Sequence, residues 1–223
     1  MDWQEQSHLA DSLLIELDAQ NKSERWDSHP HLTELIYCLT RAWYNRFQPL
    51  PATRKEMLYF VLGLGLQQSL TGHRESVTGQ QDGIHYEIDF LQEGAVGELK
   101  TTRMALTKHP NDWSSGWHKQ LLGYLKVLNT TRATYYVLYV IPPELKAWVV
   151  EASQEEIDAN WEWLLMRKEI YDAHLGKAAQ ALGLLDELPP EPPTQFTYNE
   201  EWECKDCRYK LLCDARQAAE KYG

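Results

Sequence analysis

Three groups of residues in this chain have types and spacings that suit chemistry, and the central group is the most informative. Asp89 precedes a short turn, and the tripeptide Glu98-Leu99-Lys100 follows it. Residues two apart in a strand share a face, so Glu98 and Lys100 point the same way and Leu99 points into the opposite layer. Asp89 falls beside Glu98 across the predicted hairpin. Two carboxylates converging beside an ammonium group make a site for a hard cation, Mg²⁺ or Mn²⁺.

The chemistry of such a site is phosphodiester hydrolysis. The cation lowers the pKa of a coordinated water, and the adjacent ammonium orients that water or stabilises the transition state. The alternative is that the triplet is a solvated face with a cross-strand ion pair. Val96 and Leu99 on either side of Glu98 favour a half-buried strand over a free surface. The second group, Gln120 and Tyr124, lies four residues apart and therefore on one helical face.

The third group consists of the four cysteines, one near the N-terminus and three in the last twenty residues. They are Cys38 and the run Cys204-x2-Cys207-x5-Cys213. They can act together only if the fold brings the two ends of the chain into contact. A structural zinc ion, a 4Fe-4S cluster and reduced buried thiols are all compatible with this spacing. Two disulfides are disfavoured because a reducing cytosol keeps thiols reduced.

Taken in order, these motifs resemble the RecB-like branch of the PD-(D/E)xK nucleases, whose pattern is an Asp, a Glu-x-Lys and a Gln-x3-Tyr. The resemblance spans about residues 31 to 215. The cysteine layout is similar to that of the iron-sulfur members: CRISPR-associated exonucleases, the nuclease domains of eukaryotic replication helicase-nucleases, and the AddB subunit of bacterial recombination complexes. The run from Cys38 to Tyr44 is similar to the basic-aromatic run that follows the first cysteine in these proteins.

The resemblance implies a fold and a function. The fold is α/β, a restriction-endonuclease-like core with a mixed central sheet flanked by helices. An iron-sulfur staple would join the N-terminal helix to the C-terminal segment. The function is a metal-dependent DNA nuclease, an exonuclease that prefers single-stranded ends, with Mg²⁺ or Mn²⁺ as its cofactor. Further partners would be proteins of a DNA repair, replication or CRISPR adaptation complex.

Roles for individual residues also follow from the resemblance. Asp89 and Glu98 would bind the metal, with the carbonyl of Leu99 as a further ligand. Lys100 would assist the attacking water. Two residues of the next helix would position the DNA strand or the lysine, namely Gln120 and Tyr124. The resemblance also favours the 4Fe-4S cluster over zinc, with four ligands, namely Cys38, Cys204, Cys207 and Cys213.

One position departs from the family pattern. The family usually places a histidine on the helix before the catalytic strands as an additional metal ligand, and this chain has Gln67 and Gln68 in that region. Either glutamine would suit the position, and we assign it to Gln68. An amide oxygen is a weaker, uncharged ligand, so metal affinity or preference would differ. The alternative function is therefore a catalytically weak or inactive DNA-binding or complex subunit with an iron-sulfur or zinc site, and a third is a zinc-stapled protein with no nucleic-acid role.

Hydrophobic periodicity and turn residues predict the elements that position these groups. Helices are expected over residues 2 to 20, 31 to 47, 54 to 70, 112 to 129 and 153 to 183. Strands are expected over residues 75 to 78, 84 to 91 and 95 to 102 as a three-stranded meander, then over 133 to 141 and 146 to 151. Residues 185 to 197 are too rich in proline for regular structure and are expected to form an extended strap.

Length supports one domain over residues 1 to 223. Its parts are a helical region (1 to 70), a catalytic sheet core (71 to 152), a helix (153 to 184) and the strap with the cysteine-rich segment (185 to 223). No apolar run of about 18 residues and no secretory signal is apparent, so a cytoplasmic protein without a membrane role is expected. The net charge of -11 opposes binding to phosphate backbones, but basic residues are concentrated in the middle of the chain.

Overall fold

The computed structural model describes most of the chain in two compact units. The smaller unit comprises Met1–Ser28 and Pro51–His73, and the larger comprises His29–Leu50 and Arg74–Gly223. The residues described are 12, 29–47, 49–71, 76–92, 95–180 and 201–222. The predicted helix over residues 2 to 20, except for residue 12, and the predicted strap over 185 to 197 lie outside them.

Seven helices, one 3₁₀ turn and six strands are defined within these residues. The helices are α1 (Leu32–Ile36), α2 (Leu39–Phe47), α3 (Arg54–Thr71), α4 (Ser115–Val127), α5 (Gln154–Gln180), α6 (Glu201–Lys205) and α7 (Lys210–Tyr222). The 3₁₀ turn is Pro110–Asp112. The strands are β1 (Val77–Gln81), β2 (Ile84–Ile88), β3 (Phe90–Gln92), β4 (Ala95–Thr102), β5 (Arg132–Val140) and β6 (Pro143–Glu151).

The strands form two sheets. Strands β1 and β2 make an antiparallel pair, and the other four form a mixed sheet in the order β3-β4-β5-β6, in which only the β4–β5 pair is parallel. The expected α/β class is therefore confirmed. The prediction of one three-stranded meander is wrong, because the chain bends at Asp89 and divides the second predicted strand into β2 and β3.

One face of the mixed sheet forms the core with the helices. The alternating burial of β5 places Ala133, Tyr135 and Val137 in the interior. Helix α4 contributes Leu121 and Leu125 and packs against α5. Helix α5 buries Ile157, Trp161 and Leu164, as their helical spacing predicts. Helix α4 contacts β4 and β5 and so covers the buried side of these strands, and α5 packs on α4.

Residues 31 to 47 do not form the single helix that their periodicity predicts. The chain breaks at Tyr37 and Cys38, between α1 and α2. Arg167 of α5 is fully buried, and its guanidinium donates hydrogen bonds to the carbonyl oxygens of Leu35 and Tyr37. A continuous helix would need those oxygens for its own i to i+4 bonds. The prediction that Cys38 lies on a helix is therefore wrong.

The smaller unit contains helix α3, and its predicted extent over residues 54 to 70 is confirmed. The helix starts with a capping box, since Glu56 N donates to Thr53 Oγ1 at 3.2 Å and Thr53 N donates to Glu56 Oε2 at 2.7 Å. Among the described helices of the chain, none is long and apolar enough to cross a membrane.

Candidate functional site

Two carboxylates lie side by side where β3 and β4 pair. The antiparallel register matches Phe90 with Gly97, so Asp89 is level with Glu98. Glu98 is fully buried, and Asp89 accepts a hydrogen bond at 2.8 Å from the backbone N–H of Leu99 through Oδ2. That bond fixes the Asp89 carboxylate beside the strand that carries Glu98. The structure thus brings the two predicted acidic residues together.

A continuous chain of hydrogen bonds holds the lysine of the site in place. Lys100 Nζ forms an ion pair with Glu98 Oε1 and donates to Gln120 Oε1 at 2.8 Å. Gln120 Nε2 donates to the hydroxyl of Tyr124 at 2.8 Å, and that hydroxyl donates to the carbonyl of Glu87 at 2.5 Å. Each donor has a defined acceptor, so the ammonium group is anchored through α4 to the backbone of β2.

The site has unusual electrostatics because it is buried. Burial raises the pKa of Glu98 to about 7, and the charge of Asp89 raises it too, against the opposing effect of Lys100. Burial alone would lower the pKa of Lys100, but the charges of Glu98 and Asp89 together raise it. Burial and the charge of Glu98 raise the pKa of Tyr124 well above its ordinary value. The lysine therefore stays charged at neutral pH, and the tyrosine stays protonated and able to donate.

The residues present fit a divalent cation. Among the described residues, Oε2 of Glu98 has no hydrogen-bond partner and Oε1 is paired with Lys100 Nζ, and both oxygens are inaccessible to water. A fully buried carboxylate whose only counter-charge is one lysine is poorly compensated. A cation that accepts ligands from Glu98 and Asp89 would remove this deficit.

The additional metal ligand expected from the sequence is Gln68. The backbone of Gln68 lies in α3, in the smaller unit, and its side chain is outside the described part of the chain. Leu99 is placed with its backbone N–H bonded to Asp89, beside the two carboxylates. The assignments of Gln68 and of the Leu99 carbonyl as metal ligands stay predictions.

Two tyrosines that were not predicted from the sequence as site residues lie near this centre. Tyr135 pairs with Glu98 in the parallel register of β4 and β5. The ring of Tyr37 packs on the first turn of α4, where a Cβ added to Gly116 would lie 2.8 Å from it. A glycine is required there to admit the ring. Tyr135 looks like one more apolar residue of a buried strand, and no sequence pattern distinguishes it.

The four cysteines line one cavity of about 190 Å³. Cys38 approaches it from the break between α1 and α2, and the others come from α6, the following loop and α7. Burial raises the pKa of Cys38, although the hydrogen bond and charge of Arg41 oppose the effect. The other lining residues are Arg41, Glu203, Tyr209, Lys210 and Asp214. The fold therefore brings the two ends of the cysteine pattern together.

The C-terminal segment is docked here by contacts that do not use thiols. Glu203 is buried, and its Oε2 accepts from the backbone N–H of Cys38 at 3.0 Å. Tyr209 stacks on Tyr44 with centroids 4.9 Å apart, and its hydroxyl donates to Asn45 Oδ1 at 2.8 Å. These contacts hold α6 and the loop before α7 against the break at Cys38 and against α2. Within the described residues, no group of three or more His, Cys, Asp or Glu side chains is arranged to hold a metal ion as it stands.

The comparisons with known proteins bear on the fold. No protein-family model matches the chain, and no curated protein matches it. Among solved structures, the chain is similar to the crystal structure of SSO0001, with a TM-score of 0.55 and 18% sequence identity. The likeness covers 93% of this chain and 96% of that one. At this identity it shows a common mixed α/β fold and nothing about activity.

The raised pKa of Glu98 predicts a pH-dependent stability. Without divalent cations, the folded protein binds more protons than the unfolded chain between the ordinary pKa of 4.5 and about 7. The free energy of unfolding should therefore fall as the pH rises through that window, by roughly 3 kcal/mol. Urea unfolding at pH 5 and pH 8 would measure the change. Glu98→Gln removes the titrating group, so this part of the pH dependence should disappear. An identical pH dependence in both proteins would contradict the assignment.

Proposed function

We propose that this chain is a metal-dependent deoxyribonuclease that hydrolyses phosphodiester bonds. One observation carries the proposal: a buried Glu98, with Asp89 beside it, contacts a lysine that is itself anchored by Gln120 and Tyr124. A solvated surface pair would need neither the burial nor the anchoring. The preference for single-stranded DNA ends rests on the resemblance to RecB-like nucleases and is part of the proposal.

A bound Mg²⁺ or Mn²⁺ would supply a Lewis acid and an activated water at neutral pH. Asp89 and Glu98 would hold it through their carboxylate oxygens. Lys100 keeps its positive charge in this buried setting, and its ammonium group, beside the two carboxylates, would stabilise the negative charge that develops on the phosphate. Because the ammonium group is already oriented by Gln120, little reorganisation is needed during the reaction.

Gln120 and Tyr124 hold the ammonium group of Lys100 in position. The amide oxygen of Gln120 must face Lys100, because its nitrogen is engaged with the hydroxyl of Tyr124. Tyr124 in turn is tied to the carbonyl of Glu87. Of the two roles that the family resemblance offers for this pair, the contacts favour positioning of the lysine over positioning of the DNA strand.

We further propose that the four cysteines hold a 4Fe-4S cluster. The support is that all four line one cavity, and its volume of about 190 Å³ is many times the volume that a cavity needs to hold one water, about 10 to 15 Å³. Four thiolates suit zinc as well as iron-sulfur centres. The resemblance to the iron-sulfur nucleases favours the cluster. It would add its binding energy to the contacts that already dock the C-terminal segment.

A nuclease assay tests the proposed function. Purified protein is incubated with end-labelled single-stranded and duplex DNA, with Mg²⁺, with Mn²⁺ and without a divalent cation. Metal-dependent release of labelled product from single strands is expected. Binding of DNA without cleavage in every metal would instead support the non-catalytic subunit, and neither binding nor cleavage would support the protein with no nucleic-acid role.

A further inference from the structure

Tyr135 of β5 lies beside the carboxylate pair in the interior of the larger unit. The parallel register matches it with Glu98 on β4. The side chains of Tyr135 and Glu98 are 1% and 0% exposed, and both belong to the buried face of the sheet. Tyr135 therefore lies on the neighbouring strand, at the level of the proposed metal ligand.

Both side chains carry polar atoms that lack partners. Among the described residues, the hydroxyl of Tyr135 and Oε2 of Glu98 have no hydrogen-bond partner, whereas Oε1 of Glu98 is paired with Lys100 Nζ. A buried polar group left unsatisfied costs about 1 to 3 kcal/mol, and native proteins retain few of them. A hydroxyl that can donate and a carboxylate that can only accept are complementary, and the register places the two side chains on the same face of the sheet.

The hydroxyl of Tyr135 differs in position from the hydroxyls of other buried tyrosines. Tyr139 and Tyr171 are also fully buried, and their hydroxyls also lack partners among the described residues. Tyr139 is matched with the exposed Glu144 on β6, away from the carboxylate pair. Burial and the charges of Glu98 and Asp89 raise the pKa of Tyr135 well above its ordinary value. Its phenol therefore stays protonated at the acidic centre.

We propose that Tyr135 is a positioning residue of this centre: in the cation-bound protein its hydroxyl donates a hydrogen bond to the Glu98 carboxylate and holds it in the orientation that binds the divalent cation. The inference rests on the proposed function, because it assigns a role toward that cation. Carboxylates that bind metals are commonly oriented by such hydrogen bonds from a neighbouring side chain. Loss of such a partner typically weakens metal binding about 10- to 100-fold.

The test is the substitution Tyr135→Phe, which removes one oxygen and keeps the ring. Tyr139→Phe is the matched control, because it removes a buried, unpartnered hydroxyl from the same face of the same strand. Calorimetric titration of purified full-length protein with Mn²⁺ gives the dissociation constant for each variant. The Mg²⁺ concentration for half-maximal cleavage of single-stranded DNA is measured in parallel, and thermal unfolding checks that all proteins are folded.

We expect Tyr135→Phe to weaken Mn²⁺ binding about 10- to 100-fold and to raise the Mg²⁺ requirement by a similar factor. Saturating Mg²⁺ should restore most of the cleavage rate, and Tyr139→Phe should match the wild type. If wild type binds Mn²⁺ and Tyr135→Phe binds it equally well, this inference is overturned and the proposed function stands. Equal weakening in both phenylalanine variants also overturns it. A wild-type protein that binds no Mn²⁺ and cleaves no DNA overturns both.

Discussion

Glu98→Gln is expected to lower Mg²⁺-dependent DNA cleavage by roughly 10³-fold or more, since a catalytic metal contributes several kcal/mol to the transition state. The amide has nearly the shape of the carboxylate, so the fold should persist. The substitution removes the buried negative charge that would bind the cation and that pairs with Lys100. The measurement is the initial rate of product release from end-labelled single-stranded DNA at saturating Mg²⁺ and Mn²⁺.

The chain contains its own control for this experiment. Glu144-Leu145-Lys146 on β6 repeats the Glu-x-Lys spacing in the same sheet, and its two charged groups approach to 3.6 Å. Glu144 is exposed, whereas Glu98 is fully buried. Glu144→Gln should therefore leave cleavage unchanged. Comparable losses in the two variants, or full activity in Glu98→Gln, would show that the burial of Glu98 has no catalytic meaning.

Cys213→Ser is expected to abolish the iron content of the protein, from about four iron atoms per chain to nearly none, because a 4Fe-4S cluster needs all four thiolates. The purified wild type should be brown and the variant colourless. Iron and acid-labile sulfide, determined per chain, measure the effect. The variant should also unfold at a lower temperature, since binding of a metal centre contributes to folding.

A control on the same helix separates loss of the thiol from damage to α7. Leu211 is 82% exposed, so Leu211→Ser should keep its iron and its unfolding temperature. The contacts of Glu203 and Tyr209 are untouched in both variants. A colourless wild type that carries one zinc ion per chain would assign the four thiols to a zinc site instead.

The sequence predicts a large part of the site because the relevant patterns are local. Alternation in β4 separates Glu98 and Lys100 from Leu99, and the spacing of Gln120 and Tyr124 places them on one face of α4. The extent of α3 follows from the capping box at Thr53. In each case the determining residues lie within four positions of one another.

Features that depend on distant residues were not predictable in this way. The break at Cys38 is stabilised by Arg167, whose bond to the carbonyl of Tyr37 spans 130 positions. The bend at Asp89 assigns β2 and β3 to different sheets, although the residues from 84 to 91 read as one strand. The position of Tyr135 beside Glu98 depends on the register of a parallel pair, which no local pattern encodes.

The chain order of Tyr37 and Cys38 limits how this protein can be re-engineered. The ring of Tyr37 packs against α4, the helix of the acidic site, and Cys38 lines the cysteine cavity. A single peptide bond therefore connects the acidic site to the cysteine cavity. Arg167 and Glu203 fix that peptide from both sides. A chimera that moves the acidic site or the cysteine cavity into another scaffold must therefore keep Tyr37 and Cys38 adjacent. Inserting even one amino acid between them would shift the acidic site and the cysteine cavity relative to each other.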